Sequence, residues 1–262
     1  MSDFKKPNSI SAGQRKAPTR YSTGIFGKAV LRETIDMLPE LPDTDSLNDV
    51  RKFLCANLRF SAEQTRQRNA NYIIKRMFHY GYADKPLKVF AKSFPDTTEL
   101  RDVCFYRFLR AERLQLDIIE ELLLPNIGIG TLSRASIRAA LKERFPESRS
   151  IIDGTSAIVD ALRSCDIALT DSKNVSFAYR DISPVSFAFV LHSEFSDPGI
   201  YNINDLEENR FIKALLWNPD RIMYTLYELR NQGLISKVSE IDSIRQFSTK
   251  YTLDEAVARL TN

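Results

Sequence analysis

One predicted helix carries the side chains best suited to recognise a nucleic acid. Residues 63–71 read Glu-Gln-Thr-Arg-Gln-Arg-Asn-Ala-Asn and contain no large apolar residue, whereas the apolar residues follow in 72–78. Arginine, glutamine and asparagine pair with guanine and adenine edges and also bind phosphates. A solvent-exposed helix end would have the same composition, so both interpretations stay open. The DNA-binding interpretation names Arg59, Gln64, Arg66, Gln67, Arg68 and Lys75.

Positive charge is concentrated in two parts of the chain, although the net charge is only +3. Residues 1–20 contain five basic residues and one acid, and residues 51–80 contain seven basic residues and one acid. Such clustering is expected of a protein that binds a polyanion. Basic tails and solvated helix faces are also common, so charge alone does not decide the function.

Other function classes find little support in the sequence. No apolar stretch approaches the roughly 18–20 residues that cross a bilayer, and no secretory signal is present, so we expect a cytoplasmic protein without a membrane partner. Cys55, Cys104 and Cys165 are far apart and predict buried, reduced thiols. His79 and His192 lie in apolar surroundings, and no nucleotide-loop or metal-ligand motif occurs. We therefore expect no enzyme, catalytic residue, cofactor, metal or small-molecule substrate.

The helical pattern divides the chain into four parts. Residues 1–22 predict a flexible basic arm, and residues 23–112 an N-terminal helical domain. Within that domain we expect a first helix over 24–38 and a helix that begins with a capping box at Ser61 and Gln64. A second capping box, at Asp96 and Glu99, predicts a long helix or a broken helix pair that ends before Pro125.

The remaining two parts, residues 113–183 and 184–262, repeat one order of elements. Each predicts three helices followed by a β-hairpin, which is typical of the winged variant of the helix-turn-helix. In the first unit the third helix is expected to begin at Thr155, and in the second unit one helix is expected from Asn204 to Trp217. The sequence therefore predicts a mainly α fold: an N-terminal helical region followed by two winged-helix-like units with short hairpins.

The two units differ in charge. Residues 194–242 contain nine acids and five bases, so much of the second unit would repel a duplex, and a protein partner or a structural role suits it better. Bases outnumber acids along residues 134–149 of the first unit. Its candidate DNA-binding residues are Arg134, Arg138, Lys142, Arg163, Lys173 and Arg180.

Several short motifs between residues 57 and 78 are shared with a known family. They are Asn57-Leu58, Ser61, Arg66, Arg68-Asn69 and Arg76-Met77-Phe78. In this order they resemble the Asn-Leu, Ser, Arg, Arg-Arg-Phe signature near the start of BrxA proteins, which belong to BREX bacteriophage-defence systems. The resemblance covers roughly residues 21–180. It implies a helical, non-catalytic DNA-binding protein that works beside other defence proteins.

Three hypotheses follow from these observations. The first is a non-enzymatic protein that binds double-stranded DNA mainly through phosphates and tolerates many sequences. The second is a scaffold or adaptor that docks other defence proteins through its acidic C-terminal unit. The third is a winged-helix transcription regulator, which the lack of a long coiled-coil seam makes less favourable.

Overall fold

The computed structural model describes residues 24–241 and 244–261. The predicted arm over residues 1–22 lies outside these ranges. The described part is mainly helical and contains two small antiparallel sheets of three strands each, which confirms the expected mainly α class. Within these ranges no helix is both long and apolar enough to cross a membrane.

Six α-helices form the N-terminal part of the chain that the structure describes, with a 3-10 turn over Leu38–Glu40 after the first. A π-helical turn over Ile119–Leu123 and a 3-10 turn over Leu124–Asn126 continue the last of them. The helices are α1 (Leu31–Met37), α2 (Leu47–Asn57), α3 (Glu63–Met77), α4 (Lys85–Ser93), α5 (Thr98–Ala111) and α6 (Arg113–Ile118).

Helix α5 lies at the centre of the core. Ten of its fourteen residues are buried, and it packs against α1, α3 and the later helix α9 (Pro184–Glu194). Arg101 of this helix pairs with Asp166 at 3.5 Å, and three further charged residues of the helix form shorter ion pairs with other parts of the chain. These pairs are Asp102 with Arg180 at 2.6 Å, Arg107 with Asp84 at 2.7 Å, and Arg110 with Glu194 at 2.6 Å. The buried apolar residues, which lie between Phe26 and Val257 in the sequence, form one continuous core.

Two later units share one order of strands and helices. The first unit contains β1 (Thr131–Ser133), α7 (Arg134–Arg144), α8 (Ile151–Ser164), β2 (Leu169–Thr170) and β3 (Asn174–Ser176), with sheet order β1-β3-β2. The second unit begins with α9 and continues with β4 (Gly199–Asn202), α10 (Ile203–Glu207), α11 (Arg210–Ala214), α12 (Pro219–Asn231), β5 (Ile235–Ile241) and β6 (Ile244–Thr249), with sheet order β4-β6-β5. Helix α13 (Leu253–Leu260) follows and packs on α4 and α9.

Several predicted helix boundaries were wrong. The first helix begins at Leu31, because residues 24–30 run as an irregular segment. Neither predicted capping box forms: Ala62 precedes α3 without a side-chain cap, and the Thr97 hydroxyl caps α5 by accepting from the Leu100 N–H at 3.3 Å. Helix α8 begins at Ile151, not at residue 155. The helix expected over 204–217 is divided into α10 and α11.

A glycine inside α8 allows the irregular segment to pack against the helix. A Cβ atom at Gly154 would stand 2.4 Å from the Cγ2 atom of Ile25, which no real contact allows. The same segment contains Val30 in the left-handed region, with φ 59°, an unusual conformation for a β-branched residue. The Arg76 guanidinium, paired with Glu112, donates to the Ala29 carbonyl at 2.5 Å and fixes the segment in place.

Candidate nucleic-acid interface

A cleft opens where the segment over residues 27–30 faces α3, α7 and α8. Its volume is about 390 Å³. The cleft brings together residues that are far apart in sequence, because the Gly154 contact holds α8 close to the N-terminal segment. The side chains relevant to recognition are Lys28, Phe60, Asn69, Arg134, Asp160 and Arg163.

Arg134 stands at the start of α7, next to the hairpin of the first unit. The Ser133 hydroxyl caps the helix by accepting from the Ser136 N–H at 3.1 Å. The Arg134 N–H donates to the Lys173 carbonyl at 2.8 Å, which ties the helix start to the hairpin turn. Asp171 holds that turn by accepting the Lys173 N–H, and backbone hydrogen bonds of this kind lower the pKa of its carboxyl. Two predicted cations, Arg134 and Lys173, are thus neighbours.

Three cations of α7 form a row that leads away from the cleft. Arg134, Arg138 and Lys142 are spaced four residues apart and therefore follow one side of the helix, and we call this row the basic stripe. Arg138 and Lys142 are exposed, and neither forms an ion pair with any residue that the structure describes. Arg144 differs, because it binds Asp117 at 3.0 Å and Glu121 at 2.6 Å.

Helix α3 divides its predicted site residues between two faces. At about 100° per residue, Gln64, Arg68 and Lys75 share one side of the helix, and all three are exposed. Gln67 is also exposed but donates to Glu63 on the same helix at 3.0 Å. Arg66 lies nearer the core, where its guanidinium donates to the Phe60 carbonyl at 2.7 Å and the Ser61 carbonyl at 3.0 Å. Arg66 therefore fixes the turn before α3.

Two other predicted residues are paired with acids, and a third lies in a different groove. Arg163 lines the cleft but pairs with Asp160 at 2.6 Å. Arg180 is mostly buried against the carboxylate of Asp102, so its positive charge neutralises a buried acid. The residue that remains, Arg59, lies in a separate groove beside Asp36, Glu40 and Asp96. Arg163 and Arg180 therefore contribute little free positive charge, and the exposed Arg59 lies apart from the cleft.

Sequence reasoning missed the role of Asn69 as a residue of the cleft. Its side chain is fully buried, and neither its amide oxygen nor its amide nitrogen has a hydrogen-bond partner in the described chain. The Nε of Arg134 is also buried and unpartnered there. The spacing of residues along the sequence could have indicated this burial. Asn69 precedes the buried Ile73 and Met77 by four and eight residues, so it belongs to the inward side of α3.

The second unit presents its cations differently. Arg210 pairs with Glu120 of the preceding π-helical turn, Lys213 with Glu208, and Arg245 with Glu207 at 2.7 Å. The aromatic residue Tyr224 is exposed on α12. This unit therefore combines some acid-paired cations, exposed arginines that lie over tyrosine rings (Arg221 and Arg230), an acidic balance and exposed apolar surface.

The two histidines and the two buried thiols are neutral at pH 7. Burial lowers the pKa of His192 to about 4 and that of His79 to about 3. Burial also raises the pKa of the Cys104 and Cys165 thiols, whereas Cys55 is only half-buried, contrary to the expectation of three buried thiols. Among the residues that the structure describes, no group of His, Cys, Asp or Glu is arranged to hold a metal ion.

Comparison of the chain with protein-family models, with curated proteins and with solved structures found no match. The resemblance to BrxA proteins therefore remains a prediction that rests on the short motifs in residues 57–78. The structure gives one of those motif residues, Arg76, a place in the core, where it lies over the rings of Tyr72 and Phe108 at 5.0 Å each.

Proposed function

We propose that this protein binds double-stranded DNA through its phosphates, without catalysis and with little sequence preference. The observation that carries the proposal is the set of exposed cations without acidic partners on the first unit and on α3. They comprise Arg138 and Lys142 of the basic stripe, Lys173 at the adjoining turn, and Arg68 and Lys75 on α3. Unpaired cations of this kind release counterions from DNA, which is the main source of non-specific affinity.

The order of elements in each unit supports a winged-helix assignment. In both units a first strand, two helices in the first unit or three in the second, and a hairpin follow a leading helix, and the first strand pairs with the last strand of the hairpin. In the first unit Lys173 lies at the tip of the hairpin, where a wing contacts phosphates. The presumed reading helix, α8, presents the acids Asp153 and Asp160. Contacts from α7 and the wing therefore suit backbone binding better than base reading by α8.

The sequence resemblance supports a place for this activity in a BREX-type phage-defence system, alongside other proteins of that system. The second unit is the part that we assign to such partners. Its acidic balance and the exposed side chains of Ile200 and Tyr224 suit a protein partner better than a duplex. This adaptor role is the second candidate function, and it is compatible with DNA binding by the first unit.

A salt titration of DNA binding tests the first proposal. Fluorescence anisotropy with short labelled duplexes should give a log–log dependence of affinity on salt with a slope of about −0.9 per phosphate neutralised. The variant Arg138→Gln/Lys142→Gln/Lys173→Gln should reduce the magnitude of the slope by roughly 2–3 and weaken all duplexes alike. Absence of salt-dependent binding by the wild-type chain would contradict the proposal.

A matched control removes the same charge from the second unit. The variant Arg221→Gln/Arg230→Gln/Lys237→Gln changes three exposed residues. It should keep the wild-type slope, because we assign no phosphate contact to this unit. Equal losses in both variants would show that only net charge matters and that the first unit holds no defined interface.

A further inference from the structure

We propose that the cleft receives one unstacked nucleotide of the bound DNA, with its base against Asn69 and Phe60 and its phosphate near Arg134 and Lys28. The inference deepens the proposed function and rests on it. It concerns a recognition step that the basic stripe alone would not provide.

The first step of the argument is the unsatisfied amide of Asn69. A buried polar group without a partner is unfavourable, and native proteins keep few of them. The Asn69 amide presents a donor nitrogen and an acceptor oxygen, and both are unpartnered within the described chain at the wall of an open cleft. A ligand that hydrogen-bonds to both atoms of this amide must offer a donor and an acceptor side by side. The edge of a nucleobase does so, and adenine is the base that asparagine pairs with most commonly.

The second step concerns the size of the cleft and the side chains that line it. Phe60 provides an aromatic side chain, and Val30, Ala157 and Val159 provide apolar surface. Bases stack on aromatic side chains in proteins that bind unpaired nucleic acid. The volume of about 390 Å³ lies within the range of small-ligand pockets, so a single nucleotide fits and a duplex does not.

The third step is charge. Asp160 neutralises Arg163, which leaves Lys28 and Arg134 against Glu33 among the charged residues that line the cleft. The buried Nε of Arg134 is a further donor without a partner in the described part. An anionic group such as a phosphate is the ligand that these donors favour.

The source of the nucleotide follows from the position of Arg134. This residue lines the cleft and is also the first member of the basic stripe, so a strand that follows Arg138 and Lys142 leads to the mouth of the cleft. A nucleotide that unstacks from its neighbours in that strand would enter the cleft. A free nucleoside monophosphate has the same chemistry and is distinguished by the experiment.

The experiment compares three duplexes of equal length in the salt-controlled anisotropy assay. One is fully paired, one carries a single bulged adenine, and one carries an abasic bulge with the same backbone. The wild-type chain should prefer the adenine bulge to both others by about tenfold, near the low end of what a bidentate amide–base pair contributes. Asn69→Leu should abolish this preference, so that the adenine bulge, the abasic bulge and the paired duplex bind with equal affinity.

Two controls keep the outcomes distinct. Asn71→Leu, at an exposed position of the same helix, should retain the preference, and Asn69→Ala repeats the loss without added bulk. Equal, salt-dependent binding of all three duplexes would overturn this inference and leave the proposed function standing, whereas no binding of any duplex would remove both. If deoxyadenosine monophosphate alone binds as tightly as the bulged duplex, the proposal that the nucleotide in the cleft belongs to bound DNA is wrong.

Discussion

Replacing Asn69 by alanine should make the folded protein more stable. The substitution breaks no hydrogen bond between described residues, because neither amide atom has a partner there. Each unsatisfied buried polar group costs about 1–3 kcal/mol, and alanine also favours the middle of a helix over asparagine by up to about 0.7 kcal/mol. The lost packing of a small side chain beside an open cleft offsets part of this gain. We expect a net increase of about 1–3 kcal/mol in the free energy of unfolding.

Urea unfolding followed by circular dichroism, without DNA, measures this difference. Asn71→Ala is the matched control, since it has the same helix-propensity gain but loses a surface hydrogen bond from Arg51 at 2.9 Å. Its expected change is near zero. Should Asn69→Ala prove less stable than Asn71→Ala, the Asn69 amide must be satisfied in the folded chain, and the reasoning that makes the cleft a ligand site fails.

Two further predictions concern the fold. Gly154→Ala should destabilise the protein by about 1–2 kcal/mol, because the new Cβ would overlap the side chain of Ile25, and Ile25→Ala in the same chain should recover most of the loss in a double-mutant cycle. Burial lowers the pKa of His192 in the folded protein to about 4, below the ordinary histidine value of 6.5, so the unfolded chain takes up the proton first as pH falls. Stability should therefore decline by about 2 kcal/mol between pH 7 and pH 5, with His79 adding in the same direction, and His192→Leu should flatten that decline when denaturant midpoints are compared.

Elements specified by neighbouring residues were predictable from the sequence. Helix α12 begins after the Asn218 cap with Pro219 in its first turn, and Gly233 closes it with φ 74°, as expected. The Thr252 capping box at the start of α13 shows how completely such local signals can fix a boundary. The exposed basic residues of α7 were also predictable, because the helix pattern alone places them on its outer side.

Features that depend on distant residues were not predictable in the same way. The strands β1 and β4 are only three and four residues long, and each exists because it pairs with a strand far along the chain. The pairing of Arg180 with Asp102 joins residues 78 positions apart, so a side chain that looks free in the sequence is occupied in the fold. The cleft likewise depends on the approach of α8 to the segment over residues 27–30.

The ion pairs of α5 bear on how the chain can be cut for study. A fragment ending near residue 112 would retain Asp102 and Arg110 but lose Arg180 and Glu194, which neutralise them. A buried charge without its partner typically costs 3–5 kcal/mol, a large share of the stability of an ordinary domain. Pieces separated at residues 112 or 183 should therefore aggregate or remain unfolded when expressed alone. Co-expression of the complementary pieces should restore a soluble complex, since each supplies the missing counter-charge.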